Sequence, residues 1–373
     1  MTLGLCSFGV LTRVSLPMGQ QEIPSRGRPE ARIPAFAEPQ GDVRTLSKSL
    51  NASPAGEASI HQPGLRAREG EPGGERAVAP ERPSRLRGLA RAARPRQWTK
   101  NVLVLAAPGA AGVLLAPRSA LAVALAFVAF CLVASGTYLL NDARDVEADR
   151  RHPTKRNRPI AAGVISARLA VVSGVVLLVG GLAVAAAVRL ELLAVVATYL
   201  VLTTAYTLKL RHVAVIDIAT VASFFIVRAI AGGVAVDVPF SRWFLIVASF
   251  GSLFMVAGKR AGEYAELGEE RASTRSTLGV YSLTYLREVR VIAAAVTLLA
   301  YCLWAFEQAG PGDPGPLFEL SIVPFVIFIL RWALLLEADR ERAPEDLVLG
   351  DRGLQAAALA WAVVYGLGVY AGG

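Results

Sequence analysis

The densest group of residues that could do chemistry is an acidic run at positions 141–149, Asn-Asp-Ala-Arg-Asp-Val-Glu-Ala-Asp. Offsets of three and seven residues predict that Asp142, Asp145 and Asp149 lie on one face of a helix. Three carboxylates on one face repel one another unless a cation lies among them. Because Mg²⁺ prefers oxygen ligands and is often held by one or two carboxylates plus substrate phosphates, we predict that these three aspartates bind Mg²⁺. We predict that they are catalytic together with Asn141, which directly precedes Asp142.

A basic run follows the acidic one within a few residues. It reads His152-Pro-Thr-Lys155-Arg156-Asn-Arg158-Pro. Lys155, Arg156 and Arg158 could neutralise the oxygens of a diphosphate that Mg²⁺ bridges to the aspartates. The competing interpretation is a solvated acidic helix end followed by ordinary cytoplasmic positive charge. That interpretation does not explain the close coupling of the two runs, so we predict a site for a metal-bound diphosphate.

Cysteine and histidine offer little other chemistry. The chain has three residues of each type, and they are far apart in the sequence. This spacing argues against a disulfide framework, a zinc site or a nucleophile paired with a histidine base. A net charge of +9 could indicate a nucleic-acid partner. We predict none, because the basic residues are distributed as they are in a membrane protein.

The rest of the chain is too apolar for an ordinary soluble enzyme. Hydrophobic residues make up 54% of its 373 residues and charged ones 18%, whereas about a quarter of a typical globular domain is charged. A helix needs about 20 apolar residues to cross the bilayer core. Nine such stretches predict an all-α, nine-helix membrane bundle. The stretches are about 101–116, 118–140, 167–188, 190–208, 214–236, 241–258, 289–307, 317–336 and 352–371.

Lysine and arginine indicate the orientation of this bundle. One set of alternate connections holds 24 of these residues, and the other set holds three. Short cytoplasmic loops carry the excess of positive charge in multi-pass proteins. We therefore expect the N-terminus and the charged loops, including the predicted site, on the cytoplasmic side, with the C-terminus outside.

Residues 1–90 differ in composition from the rest of the chain. They hold 10 of the 21 prolines and are rich in Gly and Arg. Such a segment buries too little apolar surface to offset the entropy lost on ordering. We expect a disordered cytoplasmic tail over 1–90 and a transmembrane catalytic domain over 91–373.

Arg228 lies inside a predicted span, where an ionisable residue is costly and is a functional candidate by default. It could bind a phosphate, or it could be a structural partner of Asp217 or of a backbone carbonyl. The sequence leaves these alternatives open. Nearby, Gly232-Gly233 is more typical of close helix packing than of ligand contact.

These motifs resemble the UbiA superfamily of intramembrane prenyltransferases. The acidic run is similar to the first aspartate-rich motif of the family, NDxxDxxxD, and residues 158–163, Arg-Pro-Ile-Ala-Ala-Gly, to the segment that follows it. Residues 94–101, Arg-Pro-Arg-Gln-Trp-Thr-Lys-Asn, resemble the approach to the first helix of the family, and residues 206–209 its YxxK element. The likeness covers roughly 90–373 and implies the same nine-helix fold.

The sequence departs from the family in one motif. Typical members hold a prenyl diphosphate between two aspartate-rich motifs, the second in the loop after the sixth span. Here that loop begins Gly258-Lys-Arg-Ala-Gly-Glu-Tyr-Ala-Glu and lacks a DxxxD. Together with Val-Ile-Asp217 and residues 227–233, this variant resembles the decaprenyl-phosphate phosphoribosyltransferase subfamily. Members of that subfamily take 5-phosphoribosyl 1-diphosphate as donor and a polyprenyl phosphate, such as decaprenyl phosphate, as acceptor.

The resemblance implies Mg²⁺-dependent transfer of 5-phosphoribose to the lipid phosphate at the bacterial plasma membrane, in a route to cell-wall arabinan. No general base is needed, because the acceptor phosphate is already an anion. The 5-phosphate and the lipid phosphate would each need further cations or polar contacts. The candidates for these contacts are Lys100, Tyr206, Lys209, Arg228, Lys259, Arg260 and Glu263.

Two other functions stay open. A UbiA-type prenyltransferase would move a polyprenyl chain from its diphosphate to an aromatic or other small acceptor, although the missing second DxxxD disfavours this. A transporter or lipid-binding scaffold could have the same number of helices, but the sequence shows no clear inverted repeat or broken midplane helix. The sequence leaves the oligomeric state open, a homo-oligomer included.

Overall fold

The computed structural model describes residues 84–268, 275–308, 315–338, 347–348 and 350–371. The predicted disordered tail therefore lies outside the described residues except for its last few positions. There the first helix begins at Arg85, and the side chain of Ser84 caps it by accepting a hydrogen bond from the backbone N–H of Arg87.

The described chain is helical and contains no β-strand, so the all-α prediction is confirmed. A 3₁₀ helix, Pro95–Leu105, follows α1 and runs directly into the short helix α2. In chain order the α-helices are α1 Arg85–Ala92, α2 Ala106–Ala110, α3 Pro117–Arg144, α4 Val146–Arg151, α5 Ala167–Val188, α6 Leu190–Leu208, α7 Ile216–Ala235, α8 Arg242–Leu267, α9 Leu283–Glu307, α10 Gly315–Ala338 and α11 Arg352–Ala371.

Eight of the described helices, α3 and α5 to α11, are long and apolar enough to cross a membrane. The structure corrects the first of the nine predicted spans, 101–116, which forms no long α-helix. Pro108 lacks a backbone N–H and Gly112 lies at φ +71°, so a continuous α-helix cannot form. The 11-residue 3₁₀ helix and the five-residue α2 lie there instead. Because a 3₁₀ helix rises about 2.0 Å per residue, the two together reach about 30 Å, which matches the thickness of the hydrocarbon core.

Successive spanning helices run in opposite directions, so their ends gather on two sides. On one side lie the C-terminal ends of α3, α6, α8 and α10 and the N-terminal ends of α5, α7, α9 and α11. This side carries the acidic run and the other predicted polar positions except Arg228 and Lys100. Helix α3 is the most buried of the eight spans and contributes Phe130 and Val133 to the core.

Glycine allows the helices around α3 and α7 to approach closely. A Cβ added to Gly136 in α3 would lie 2.7 Å from the carbonyl oxygen of Gly174 in α5. A Cβ added to Gly232 in α7 would lie only 1.7 Å from the carbonyl oxygen of Val104. Helix α7 and the 3₁₀ helix therefore touch backbone to backbone, and the prediction that Gly232-Gly233 serves packing is confirmed.

Helix α8 is longer than the sixth predicted span, 241–258. It continues to Leu267, so the variant motif from Gly258 onward is helical and not a loop. Good helix formers and an ion pair between Arg260 and Glu263, three residues apart, favour this extension. Because successive helical residues point about 100° apart, Lys259 is exposed while Arg260 is buried.

Candidate active site

Asp142 lies in the last turn of α3, and its side chain is only 6% exposed. Both of its carboxylate oxygens accept hydrogen bonds from the guanidinium of Arg94, with Nη2 lying 2.7 Å from Oδ1 and 2.9 Å from Oδ2. Arg158 Nη1 also lies 3.0 Å from Oδ1. A buried carboxylate is costly unless charged donors satisfy it, and here two arginines do so.

Arg158 links two of the predicted metal ligands. Besides its bond to Asp142, its Nη1 lies 2.7 Å from Oδ2 of Asp149, which is buried in α4. Asp145 lies between α3 and α4, where its side chain is 42% exposed and accepts a hydrogen bond from Arg144 Nε at 3.0 Å. The structure therefore brings Asp142 and Asp149 together around one arginine and leaves Asp145 at the surface.

A cavity of about 220 Å³ opens beside these residues. Three arginines and one aspartate are the charged residues in its lining, which leaves a formal excess of two positive charges. Such a lining suits a small polyanion. The lining residues are Arg91, Ala92, Arg94, Asp142, Thr154, Asn157, Arg158 and Pro159.

The residues of the acidic run fit Mg²⁺ only if waters and substrate phosphates supply the rest of its ligands. In the described part of the chain, no group of three His, Cys, Asp or Glu side chains is arranged to hold a metal ion by itself. Mg²⁺ usually keeps several waters and is bound through one or two carboxylates plus substrate phosphates. The oxygen-only donors beside the cavity meet that requirement.

The other residues predicted to belong to this site lie outside the lining of the cavity. Lys155 and Arg156 are exposed on a 3₁₀ turn, Lys155–Asn157, and do not line the cavity. Asn141 is half-buried in the last turns of α3, and Lys100 is half-buried in the 3₁₀ helix. Neither Asn141 nor Lys100 lines the cavity.

A second acidic residue, Asp217, lies at the start of α7 and is fully buried. Its Oδ2 accepts hydrogen bonds from Thr277 Oγ1 at 3.2 Å and from Arg260 Nε at 3.3 Å. Its Oδ1 accepts one from the hydroxyl of Tyr281, and burial together with this bond raises the pKa of Tyr281. Tyr281 therefore stays protonated and keeps donating at neutral pH.

Arg260, a predicted phosphate contact, is buried and donates to Asp217 and to two further side chains. Its guanidinium also lies 2.8 Å from a carboxylate oxygen of Glu263 and 3.3 Å from the hydroxyl of Tyr206, and its side chain is 3% exposed. Arg275 donates to the same Tyr206 hydroxyl at 3.0 Å but is 30% exposed. Lys209, directly after α6, and Lys259, about two turns before the end of α8, are both exposed.

Arg228 is buried in the interior of α7, away from both clusters. It donates to Asn101 Oδ1 and to the Phe224 carbonyl at 2.7 Å each, and to the Tyr199 hydroxyl at 2.8 Å. Its guanidinium also lies 4.7 Å from the centre of the Tyr199 ring. Of the two structural alternatives, the backbone carbonyl is therefore correct, and Asp217 as partner is wrong because Asp217 is bound to Arg260.

Sequence reasoning missed Arg94 and Arg275. Arg94 belongs to a recognised motif, but nothing in the spacing indicates that it reaches an aspartate 48 positions away. It does so through a left-handed backbone conformation, φ 54°, between α1 and the 3₁₀ helix. Arg275 follows α8 in a segment where the sequence offers no pattern beyond its charge.

Comparison with known proteins identifies the family of this chain. Residues 103–350 match the UbiA prenyltransferase family. The chain belongs to that family. It is 49% identical over 286 residues to the decaprenyl-phosphate phosphoribosyltransferase of Mycobacterium tuberculosis, covering 76% of this chain and 94% of that protein. It is 46% identical over 288 residues to the enzyme of the same name from Corynebacterium glutamicum, with 76% and 87% covered.

Solved structures share the fold of this family member. A UbiA homologue from Archaeoglobus fulgidus bound to GPP and Mg²⁺ superposes with a TM-score of 0.56 at 17% identity, covering 76% of this chain and 99% of that one. At this identity the likeness concerns the fold alone. With eight apolar helices of spanning length in its described part, this UbiA family protein is a multi-pass membrane protein.

Proposed function

We propose that the protein transfers 5-phosphoribose from 5-phosphoribosyl 1-diphosphate to decaprenyl phosphate or a similar polyprenyl phosphate, releasing diphosphate. The cavity beside Asp142 carries the proposal, because its three arginines suit a small, highly charged donor. The names of the relatives, at 45–49% identity over most of their length, support the same reaction.

The reaction depends more on stabilising the diphosphate leaving group than on activating the nucleophile. A lipid phosphate oxygen forms a bond to C1 of the ribose, and the bond from C1 to the diphosphate oxygen breaks. The residues that would hold Mg²⁺ lie in the acidic run, and the bound ion would neutralise the departing diphosphate. Arg158, next to that run and in the cavity lining, would share the remaining charge. The acceptor is already an anion, so no general base is required.

The second half of the site lacks the acidic platform of a prenyl-diphosphate enzyme. In the segment of α8 where a second DxxxD would lie, Arg260 forms a buried ion pair with Asp217 of α7. We propose that Arg260 acts structurally there. The exposed cations at the same end of the bundle, Lys209, Lys259 and the partly exposed Arg275, would meet the 5-phosphate or the lipid phosphate.

The excess of lysine and arginine at this end supports a cytoplasmic active site and an external C-terminus. Such a location would give the site access to a water-soluble donor from the cytosol and a lipid acceptor from the membrane. The product, a polyprenyl phosphoribose, would then be available to the synthesis of cell-wall arabinan.

The proposal is tested with membranes that contain the protein, a donor labelled with ¹⁴C in the ribose, decaprenyl phosphate and Mg²⁺. We expect label to enter the lipid fraction and transfer to stop when Mg²⁺ is chelated. A parallel reaction offers a prenyl diphosphate and an aromatic acceptor. If the prenyl diphosphate were consumed there while no ribose label reached the lipid, the protein would be a prenyltransferase and the proposal would be wrong.

A further inference from the structure

We propose that α1 binds anionic phospholipid headgroups at the membrane surface. The ligand is a phosphodiester headgroup together with the adjoining part of its acyl chains. This lipid site lies on the sides of α1 that face away from the bundle, so it is a different site from the cavity beside Asp142. It does not depend on which donor that cavity binds.

The chain is strongly basic where α1 and the 3₁₀ helix begin. Residues 84–100 hold six lysine and arginine residues and no aspartate or glutamate. Two of the six have other contacts, since Arg94 binds Asp142 and Arg91 lines the cavity. A basic cluster of this size beside a membrane span is typical of segments that bind anionic lipids. Three further arginines are exposed and form no ion pair within the described residues, namely Arg85, Arg87 and Arg96.

Helix α1 lies at the level where the spanning helices end. A Cβ added to Gly88 would lie 2.8 Å from Cγ1 of Val164, three residues before α5 begins. On the same side of α1, Ala92 packs in a cluster with Leu139 and Ala143, in the last two turns of α3. Because α3 and α5 are long and apolar enough to span the membrane, these ends mark its interface with water, and α1 lies beside that interface.

Helix α1 is also too short to enter the bilayer as a span. Its eight residues reach about 12 Å. Directly after it, Arg94 has a left-handed backbone conformation, φ 54° and ψ 60°, so the 3₁₀ helix does not continue the path of α1. A short basic helix at this level, outside the spans, is suited to lie on the bilayer surface.

The exposed sides of α1 are amphipathic. Leu86 and Ala90, four residues apart, share one exposed side, and Arg87 and Arg91 share the next. Leu86 is 80% exposed, which is unfavourable in water and favourable among acyl chains. Trp98, near the start of the 3₁₀ helix, is also partly exposed, and tryptophan is enriched at the membrane interface. Cations next to apolar side chains match a phospholipid better than a soluble anion, which has no apolar part.

Hydrogen–deuterium exchange of α1 tests the proposal directly. Full-length protein is placed in nanodiscs of phosphatidylcholine alone or with about 30% phosphatidylglycerol, without donor or Mg²⁺. We expect the backbone amides of α1 to exchange at least about fivefold more slowly in the anionic discs, because bound headgroups suppress local opening of this short helix. Equal exchange rates in the two bilayers would overturn the proposal.

Substitutions separate a site on α1 from the overall charge of the protein. Arg85→Gln/Arg87→Gln should bring the exchange rates in the two bilayers to within about twofold, because it removes two headgroup contacts. The matched control is Arg151→Gln/Arg211→Gln, which removes the same charge from two exposed arginines at the same end of the bundle. It should keep the full difference. If the control lost the difference as well, overall charge and not α1 would attract the lipid. Melting curves check that both variants are folded.

The apolar part of the site is tested with Leu86→Gln, which keeps every charge. Native mass spectrometry in detergent should show phosphatidylglycerol bound about threefold or more weakly, whereas Leu86→Met should bind it like the wild type. If Leu86→Gln bound the lipid as tightly as the wild type, the acyl chains would not belong to the ligand and the proposal would be wrong.

Two other occupants of α1 are tested in phosphatidylcholine discs. If inorganic phosphate slowed the exchange of α1 there as much as phosphatidylglycerol does, the site would bind a soluble anion. If exchange slowed when each disc held two proteins instead of one, a second copy would cover α1. Either result would contradict the assignment of the site to a lipid.

Discussion

Two aspartates at the same end of the bundle, Asp142 and Asp217, are each bound by two arginines, but their surroundings differ. The arginines of Asp142 are about a third exposed and line a cavity. Asp217 is fully buried, and its close arginine, Arg260, is 3% exposed and also bound by a second carboxylate. Its other arginine, Arg275, is 30% exposed but lies farther away, at 3.8 Å. Where guanidinium N–H groups face a cavity, an ion pair can bind a ligand. Where the guanidinium is buried and already bonded to two carboxylates, the ion pair can only hold helices together. Burial, and not residue type, distinguishes the two sites.

The largest expected effect lies on the open side, in the acidic run. Asp149→Ala should lower the rate of phosphoribosyl transfer by about a thousandfold or more, because it removes a carboxylate that we propose to bind Mg²⁺ and that pairs with Arg158. The matched control is Glu147→Gln, since Glu147 belongs to the same run but is exposed and pairs with the exposed Arg150. Its transfer rate should stay within about threefold of the wild type. Comparable losses in both variants would contradict the assignment of the site.

On the closed side, the expected effect is on folding. Asp217→Asn removes the charged acceptor shared by the hydroxyl of Tyr281 and by Arg260, which keeps only Glu263, and breaking a buried pair costs up to about 3–5 kcal/mol. The melting temperature in detergent should fall clearly, while the transfer rate per folded molecule should change much less than in Asp149→Ala. If Asp217→Asn melted like the wild type but lost transfer activity, Asp217 would belong to the active site, and the contrast with Asp142 would be wrong.

The 3₁₀ helix that follows Arg94 provides a third test. Gly232→Ala would place a Cβ 1.7 Å from the Val104 carbonyl, so the 3₁₀ helix must move. Overpacking of this kind costs about 1–3 kcal/mol or more, and we expect a lower melting temperature and weaker donor binding. Gly180→Ala is the control, because a Cβ there meets nothing within 4 Å. If Gly232→Ala melted like Gly180→Ala, the close contact between α7 and the 3₁₀ helix would be wrong.

A smaller effect is expected at a third aspartate, Asp351, which caps α11 and binds Arg331 at 2.6 Å and 2.8 Å. Hydrogen bonds from Arg331 and from the Leu354 backbone lower the pKa of Asp351 to about 2, from an ordinary 3.8. Because the pKa is depressed in the folded state, the stabilisation is present above pH 3.8 and is lost as pH falls toward 2. The difference in melting temperature between the wild type and Asp351→Asn should therefore shrink over that range. A difference that stayed constant with pH would show that the carboxylate charge is not involved.

Much of this organisation can be predicted from the sequence, because it depends on local pattern. Apolar runs of spanning length give eight of the helices. The spacing of the acidic run correctly indicates that Asp142 and Asp149 lie close together, but Asp145, predicted on the same face, lies at the surface where the helix is interrupted. The pairing of these carboxylates depends on contacts between distant segments. A left-handed turn at Arg94, 48 residues before Asp142, decides which donors that carboxylate meets.

Contacts between distant segments also explain why Arg260 and Arg228 contact residues that the sequence does not indicate. The extension of α8 turns Arg260 inward, toward Asp217 on α7, which frees Arg228 from that pairing. Arg228 then binds Asn101 on the 3₁₀ helix, 127 positions earlier. Spacing along one helix placed Asp217 and Arg228 on a common face, but packing between helices determines which charged groups meet.

The most direct test of the central claim follows the position of the label in the donor. Purified protein is given decaprenyl phosphate, Mg²⁺ and donor labelled with ³²P either at the 5-phosphate or in the diphosphate. Phosphoribosyl transfer predicts that the 5-phosphate label enters the lipid and that the diphosphate label stays in water as free diphosphate. Diphosphate label in the lipid, or no label in the lipid from either donor, would contradict the account.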